Sequence, residues 1–220
     1  MKLVLASGSQ RRRELLTMCG YDYEIIVSNA DETIDENDPE SFVRALSFRK
    51  AKDVFDRLFE AGRRDFAVIG SDTVVAFQKE GETKPVIIGK PKDAEDAVCI
   101  LSMLSGKTHR VFTGVSVIAD IPDENAAAQC SIREKAEIQT ECSITEVTFE
   151  TLSPDEITDY VNSGDPLDKA GSYGIQGPFG MFVREIRGNY FTVIGMPIPV
   201  LYKMLKKIGI LPHGFYERIE

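Results

Sequence analysis

The chain has 220 residues, 43% of them hydrophobic and 28% charged, with a formal net charge of -9. That length can bury a real core. The acidic balance repels phosphate backbones and anionic lipid, which excludes nonspecific nucleic-acid and membrane-surface binders but leaves small anions captured by local basic clusters.

The apolar run from Leu3 to Ala6 is too short for a signal-peptide core, and nothing approaches a transmembrane span. Cys19, Cys99, Cys130 and Cys142 form no C-x-x-C pair, and only His109 and His213 are there to join them. Neither a zinc site nor a disulfide framework is expected; reduced thiols in a cytoplasmic protein are.

Residues 2–6 read as a short buried strand, 10–19 as a helix ending before Gly20, and 23–27 (YEIIV) as a second strand. Asp38-Pro39-Glu40 combines an N-cap with Pro at the first helical position. It predicts a helix to about Ala61, with Phe42, Ala45 and Leu46 on one face. FAVIGSDTVVAF predicts strand, interruption and strand. Asp93 can cap a helix ending at Gly106, with Val98, Leu101 and Leu104 inward.

RVFTGVSVIAD and EIQTECSITEVTFETL predict two long strands joined by an extended connection, with IPDENAAAQ as a hairpin tip or disordered loop. Ser153 to Glu156 fits a capping box, for a helix closing before Gly164. GMFVREIRGNYFTVIG predicts a hairpin turning at Gly188-Asn189, and Met196-Pro197 opens a last helix to Gly209. With no repeat and no interdomain linker, residues 1–220 are expected to form one mixed α/β unit, with two lobes.

Five stretches carry chemistry-bearing residues. Ser7-Gly8-Ser9-Gln10-Arg11-Arg12-Arg13 lies at a strand-to-helix junction, where free N–H groups and arginine forks suit phosphate; the alternative is a solvated basic face. Asp72 follows the apolar strand AVI, where α/β sheets gather catalytic groups, or is a turn residue bonding its own backbone. Asp31-Glu32 can hold Mg²⁺ beside substrate phosphates, or belong to a solvated acidic loop. Lys50, Lys52 and Lys90 are phosphate partners or surface charges. Asp168 to Gly177 is a glycine-rich loop of ligand-shaping composition, or a surface turn.

Taken together, ASGSQRRRELL, SFRKAKDV, IGSDTVV, IGKPKDAEDA, LSGKTHRVFTGV and PLDKAGSYGIQG occur in the order and approximate spacing of the Maf family, which this chain resembles from about residue 3 to 209. These are nucleoside triphosphate pyrophosphatases. The resemblance implies an elongated, twisted mixed β-sheet with flanking helices and two lobes around a central cleft, similar to inosine triphosphate pyrophosphatases. It also implies hydrolysis of a nucleoside triphosphate to the monophosphate and pyrophosphate with a divalent cation, Mg²⁺ or Mn²⁺, and a homodimer. By position Asp72 resembles the proton acceptor, and Ser7, Arg11, Glu32, Lys50 and Lys90 the phosphate and metal site, with Glu32 and Asp72 as the metal carboxylates.

Arg11, Thr73 and Gln176 match the branch that prefers dTTP and UTP, whereas the branch acting on 7-methyl-GTP lacks the AGSYGIQG type of loop. On this reading Arg11 serves the triphosphate while Arg12 and Arg13 partly face solvent. Gln10 replaces the usual Pro, with little expected consequence. The stretch from Asp120 to Ala136 is longer than the family norm and bears on dimer contacts more than on catalysis.

An aspartate is a weak base in water, so either its surroundings or a bound metal must help to activate the attacking water. The residues do not choose between them. A purine or 7-methyl-GTP house-cleaning pyrophosphatase, and a nucleotide-binding regulator of cell division without turnover, are the rival readings. The full charged set favours catalysis over sensing.

Overall fold

The computed structural model describes residues 1–79, 81–121 and 136–214. β1 (Lys2–Leu5) pairs in parallel with β2 (Glu24–Ile25) on one side and with the first half of β3 (Phe66–Phe77) on the other. β4 (Val86–Ile88) pairs antiparallel with the far end of β3. β5 (Thr108–Asp120), β6 (Ala136–Phe149) and β7 (Val183–Arg187) follow as antiparallel neighbours. The order is β2-β1-β3-β5-β6-β7, with β4 beside β3, a seven-stranded mixed sheet.

Strand alternation decides which helix covers which face. Leu3, Leu5, Ala67 and Ile69 pack with α1 (Gln10–Met18) and α6 (Ile198–Lys207). Val4, Ala6, Phe66 and Val68 point the other way, against Val54 and Phe55 of α2 (Pro39–Glu60). At the other end of the sheet, Phe77 and Phe149 pack with α3 (Ala94–Leu104) and α4 (Pro154–Asn162). No described helix is long and apolar enough to cross a membrane. Among the described residues Cys19, Cys99 and Cys142 are free thiols.

Local chemistry sets the helix starts as expected. Asp38 accepts from Ser41 N at 2.9 Å and Asp93 from Asp96 N at 2.8 Å. Ser153 and Glu156 form both halves of a capping box.

Several elements differ from the sequence expectation. β3 is one unbroken strand, because Gly70 is a contact point for α2 and not a break. The second strand shrinks to Glu24–Ile25, since Ser28 and Asn29 leave the sheet to bond Asp53 of α2, at 3.0 and 2.9 Å. No hairpin follows Gly188. Asn189 caps α5 (Tyr190–Ile194), accepting from Phe191 N at 2.8 Å, while Thr145 Oγ1 holds its backbone. Ala45 is exposed, and Val43 takes the inward position with Leu46. The long strands pair up to Asp120↔Ala136, while most of IPDENAAAQ lies outside the described residues.

One buried group makes stability depend on pH. His109 is 2% exposed, edge-on to Phe149 and Tyr173, and its Nε2 lies 2.9 Å from the Tyr173 hydroxyl. Its Nδ1 is buried without a partner. Burial pushes the imidazole pKa down from 6.5 to about 3. Below pH 6.5 the unfolded chain therefore takes up a proton that the native state refuses, so this contribution to stability is lost as pH falls toward 3. Urea unfolding at pH 7 and pH 5 is expected to show about 2 kcal/mol more acid loss for the wild type than for His109→Phe. Equal losses in the two proteins would count against a neutral buried His109.

Candidate active site

β3 is longer than either neighbour on its outer edge, and this mismatch makes the site. β1 pairs with β3 only as far as Leu5↔Ile69, and β4 begins only at Val75↔Ile88. Residues 70–74 thus have no strand on that side, while β5 runs unbroken along the other, with Asp72 opposite Gly114. Asp72, 8% exposed, stands in the gap. A cleft of about 1600 Å³ opens there, lined among others by Ser7, Arg11, Glu32, Lys50, Asp72, Thr73, Lys90 and Gln176. A crevice beyond the carboxyl ends of strands is where α/β sheets commonly bind ligands.

α2 delivers a lysine to Asp72 because two glycines let it sit directly on the sheet. A Cβ on Gly70 would lie 2.2 Å from Ser47 O, and one on Gly114 2.2 Å from Val43 O. That close approach brings Lys50 Nζ to 2.7 Å from Asp72 Oδ1, with both side chains 12% exposed. The same ammonium lies 2.9 Å from Glu32 Oε1. Glu32 reaches it because α2 also holds the acidic loop: Arg49 Nη1 donates to Asp31 O at 2.8 Å and Thr33 O at 2.9 Å. Asp31 itself accepts from Thr33 N, a turn role. Lys52 faces away and pairs with Asp56.

The other face of β3 carries a different device. Arg12, not Arg11, is drawn into the protein: its Nε donates to Gly195 O at 2.8 Å, Nη1 to Ser7 Oγ at 3.2 Å and Nη2 to Thr73 Oγ1 at 3.4 Å. Arg12 stays half-buried, as expected, but its guanidinium is committed to these inward partners and not left to solvent. Burial pulls its guanidinium pKa below the ordinary value, and the charge of Asp72 pulls it back up. Thr113 Oγ1 donates to Thr192 O at 2.7 Å, so the 3.0 Å contact between Thr73 and Thr113 has Thr73 as donor. Hydrogen bonds therefore run from Arg12 through Thr73 and Thr113 to the backbone of α5. Ser7 Oγ also accepts from Ser9 N at 3.2 Å, shaping the turn before α1.

The glycine-rich loop forms another wall. Gly171 has φ +73, and its Cβ would meet Val75 Cγ2 at 2.5 Å; its N–H donates to Gly89 O at 2.9 Å, next to Lys90. A Cβ on Gly174 would lie 2.6 Å from Lys169 Cε. Gly174 N donates to the Tyr160 hydroxyl, which donates to Asp165 Oδ2 at 2.6 Å. Arg11 Nη1 is 3.4 Å from Asp168 Oδ2. Gln176 and Lys90 are exposed in the cleft.

The eight residues that the family resemblance implied for the site thus line one cleft, but among them only Lys50 bonds directly to others of the set, Asp72 and Glu32; Asp31 and Lys52 lie outside it. Arg12, Asp168 and Lys169 lie in stretches flagged from the sequence, though without individual roles there; Tyr160 lies outside them. Among the described residues no cage of three or more metal-ligating side chains occurs. Two carboxylates facing one ammonium fit a divalent cation that arrives with phosphates better than one held by protein alone.

The chain is similar over nearly its whole length to proteins with curated names. The dTTP/UTP pyrophosphatase of Agathobacter rectalis is 40% identical over 217 residues, covering 95% of this chain and 98% of the relative. That of Clostridium beijerinckii is 42% identical over 210 residues, covering 94% and 100%. Among solved structures, the Staphylococcus aureus Ham1 protein matches 94% of this chain and 100% of its own at a TM-score of 0.49 and 15% identity. The family pattern described as Maf-like protein matches residues 2–208, and the chain belongs to that family.

Proposed function

We propose that the protein hydrolyses dTTP and UTP to the monophosphate and pyrophosphate. The observation that carries this reading is the Asp72–Lys50–Glu32 set at 2.7 and 2.9 Å in a cleft shared with Arg11, Lys90 and Gln176. It joins a proton acceptor to cations suited to a polyphosphate.

Water attacks the α-phosphorus, its proton passes to the Asp72 carboxylate, and the bond from the α-phosphorus to the bridging oxygen breaks to release pyrophosphate. Arg11, Lys50 and Lys90 neutralise charge on the triphosphate and the leaving group, which favours the transition state. Glu32 and Asp72 would hold Mg²⁺ or Mn²⁺, which supplies further charge neutralisation and polarises phosphate oxygens. Lys50 holds both carboxylates in place until substrate arrives. Arg12 fixes Ser7 and Thr73, so the walls on either side of Asp72 keep their spacing.

Gln176 is suited to the base. Its amide both donates and accepts, matching the O4 and N3–H edge of uracil or thymine. The test is pyrophosphate release from UTP, dTTP, CTP, ITP and 7-methyl-GTP with Mg²⁺ or Mn²⁺, for wild type and Gln176→Leu. Wild type is expected to prefer UTP and dTTP, and the variant to lose roughly tenfold on these two. Fastest turnover of ITP or 7-methyl-GTP would replace the pyrimidine reading, and no turnover of any would replace the enzymatic one. A variant that keeps the full preference for UTP over CTP would release Gln176 from its role.

A further inference from the structure

The loop wall brings a carboxylate to an arginine assigned to phosphate. Arg11 and Asp168 are 157 residues apart in sequence, yet they meet across the mouth of the cleft, with side chains 31% and 69% exposed. Lys169 holds Asp168 from behind. Its Nζ lies 2.8 Å from Asp168 Oδ1, 2.9 Å from Asp165 Oδ1 and 2.5 Å from Asp165 O, which uses all the donors of an ammonium. Lys169 is therefore committed to its own loop, and Oδ2 of Asp168 is left for Arg11. At 3.4 Å that contact is longer than a well-formed charge-assisted hydrogen bond, and it is exposed. Such pairs are weak and exchange readily.

We propose that Asp168 is a positioning residue, the resident counterion of Arg11, which yields the guanidinium to the triphosphate and reclaims it as pyrophosphate departs. This rests on the phosphate role proposed above for Arg11. Partial burial works against the charge on Asp168, but Lys169 and Arg11 outweigh it and hold the carboxyl below its ordinary pKa, so the carboxylate stays ready to compete. The exchange leaves Arg11 with a partner at both ends of the cycle. It weakens substrate and product alike and so favours release.

Asp168→Asn keeps an acceptor for Lys169 while removing the charge. Calorimetric binding of inorganic pyrophosphate at low salt needs no turnover. It is expected to tighten about three- to tenfold in the variant, with KM for UTP falling by a similar factor. Both gains should shrink in about 0.5 M salt. In an Arg11→Gln background the same substitution should add less than about twofold, because the pair it breaks is already gone.

Unchanged or weaker pyrophosphate binding by a folded Asp168→Asn protein overturns the proposal. So does an equal gain with and without Arg11, which would make Asp168 a simple repulsive charge. Asp168→Ser is measured beside it, with Tm for both, so that a disturbed loop in one variant does not decide the result. A wild-type protein that neither binds pyrophosphate nor hydrolyses any nucleoside triphosphate overturns the reading of the site itself. That outcome is distinct from a wild type that does both while the variants fail to tighten.

Discussion

Asp72→Asn is expected to lower kcat by roughly 10²–10⁴, while UTP measured without divalent cation binds equally or more tightly. Asn preserves size and a hydrogen-bond acceptor but removes the proton acceptor and one negative charge. β3 holds the position rigidly between paired β5 and the buried Ser71, whose hydroxyl lies 2.9 Å from Gly114 O. The fold should therefore survive. Lys50 keeps Glu32 at 2.9 Å, so its ammonium is not left buried without a counter-charge, the condition that makes a broken pair costly. A cation half-released from its carboxylates attracts a polyanion more strongly, which is why affinity should not fall. The measurements are kcat, UTP affinity, and circular dichroism of the variant. Near-normal kcat in a folded variant would remove Asp72 from the proton transfer and make Glu32 the first substitute.

How far the sequence went depended on whether the deciding contact was local. The starts of α2, α3 and α4 were legible because Asp38, Asp93 and Ser153 act within three residues of themselves. The fate of Asn189 was not, because Asn serves both turns and helix caps, and Thr145 on β6 decides between them. β4 was missed and β2 read too long for the same reason: both take their length from distant partners.

Within the site, Asp72, Glu32 and Lys50 were legible as motif residues, but nothing in the sequence says that one ammonium joins them. The arginine run also carries a helical-phase signal. Successive helical residues turn by about 100°, so three arginines cannot share one direction. Leu15 and Leu16 are buried, and Arg12 precedes them by three and four residues, which places it on their face. Arg11 pairs with a loop 157 residues away, which has no local signature at all.

Gly70 carries the second large expectation, and it explains why a glycine inside a strand was misread as a break. An Ala at position 70 would place its Cβ 2.2 Å from Ser47 O and 2.7 Å from Ala51 N. Both atoms are helix backbone and cannot rotate away, so α2 must lift from the sheet. Overpacking of this kind costs about 1–3 kcal/mol or more, a fall in Tm on the order of 5–10 °C for a chain of this size. Gly114, whose own Cβ would meet Val43 O at 2.2 Å, fixes the same helix one strand over, so α2 cannot pivot into a relaxed position nearby. Lys50 lies between Ser47 and Ala51, and any lift carries its ammonium off Asp72. Displacement by about 1 Å can cost 10²-fold in rate. Gly70→Ala is therefore expected to lower kcat by at least tenfold at a temperature well below its Tm, where the protein is still folded. The check is Tm by calorimetry together with kcat on UTP at that temperature. A variant with unchanged Tm and unchanged kcat would mean that α2 does not rest on Gly70, and the placement of Lys50 against Asp72 would need another support.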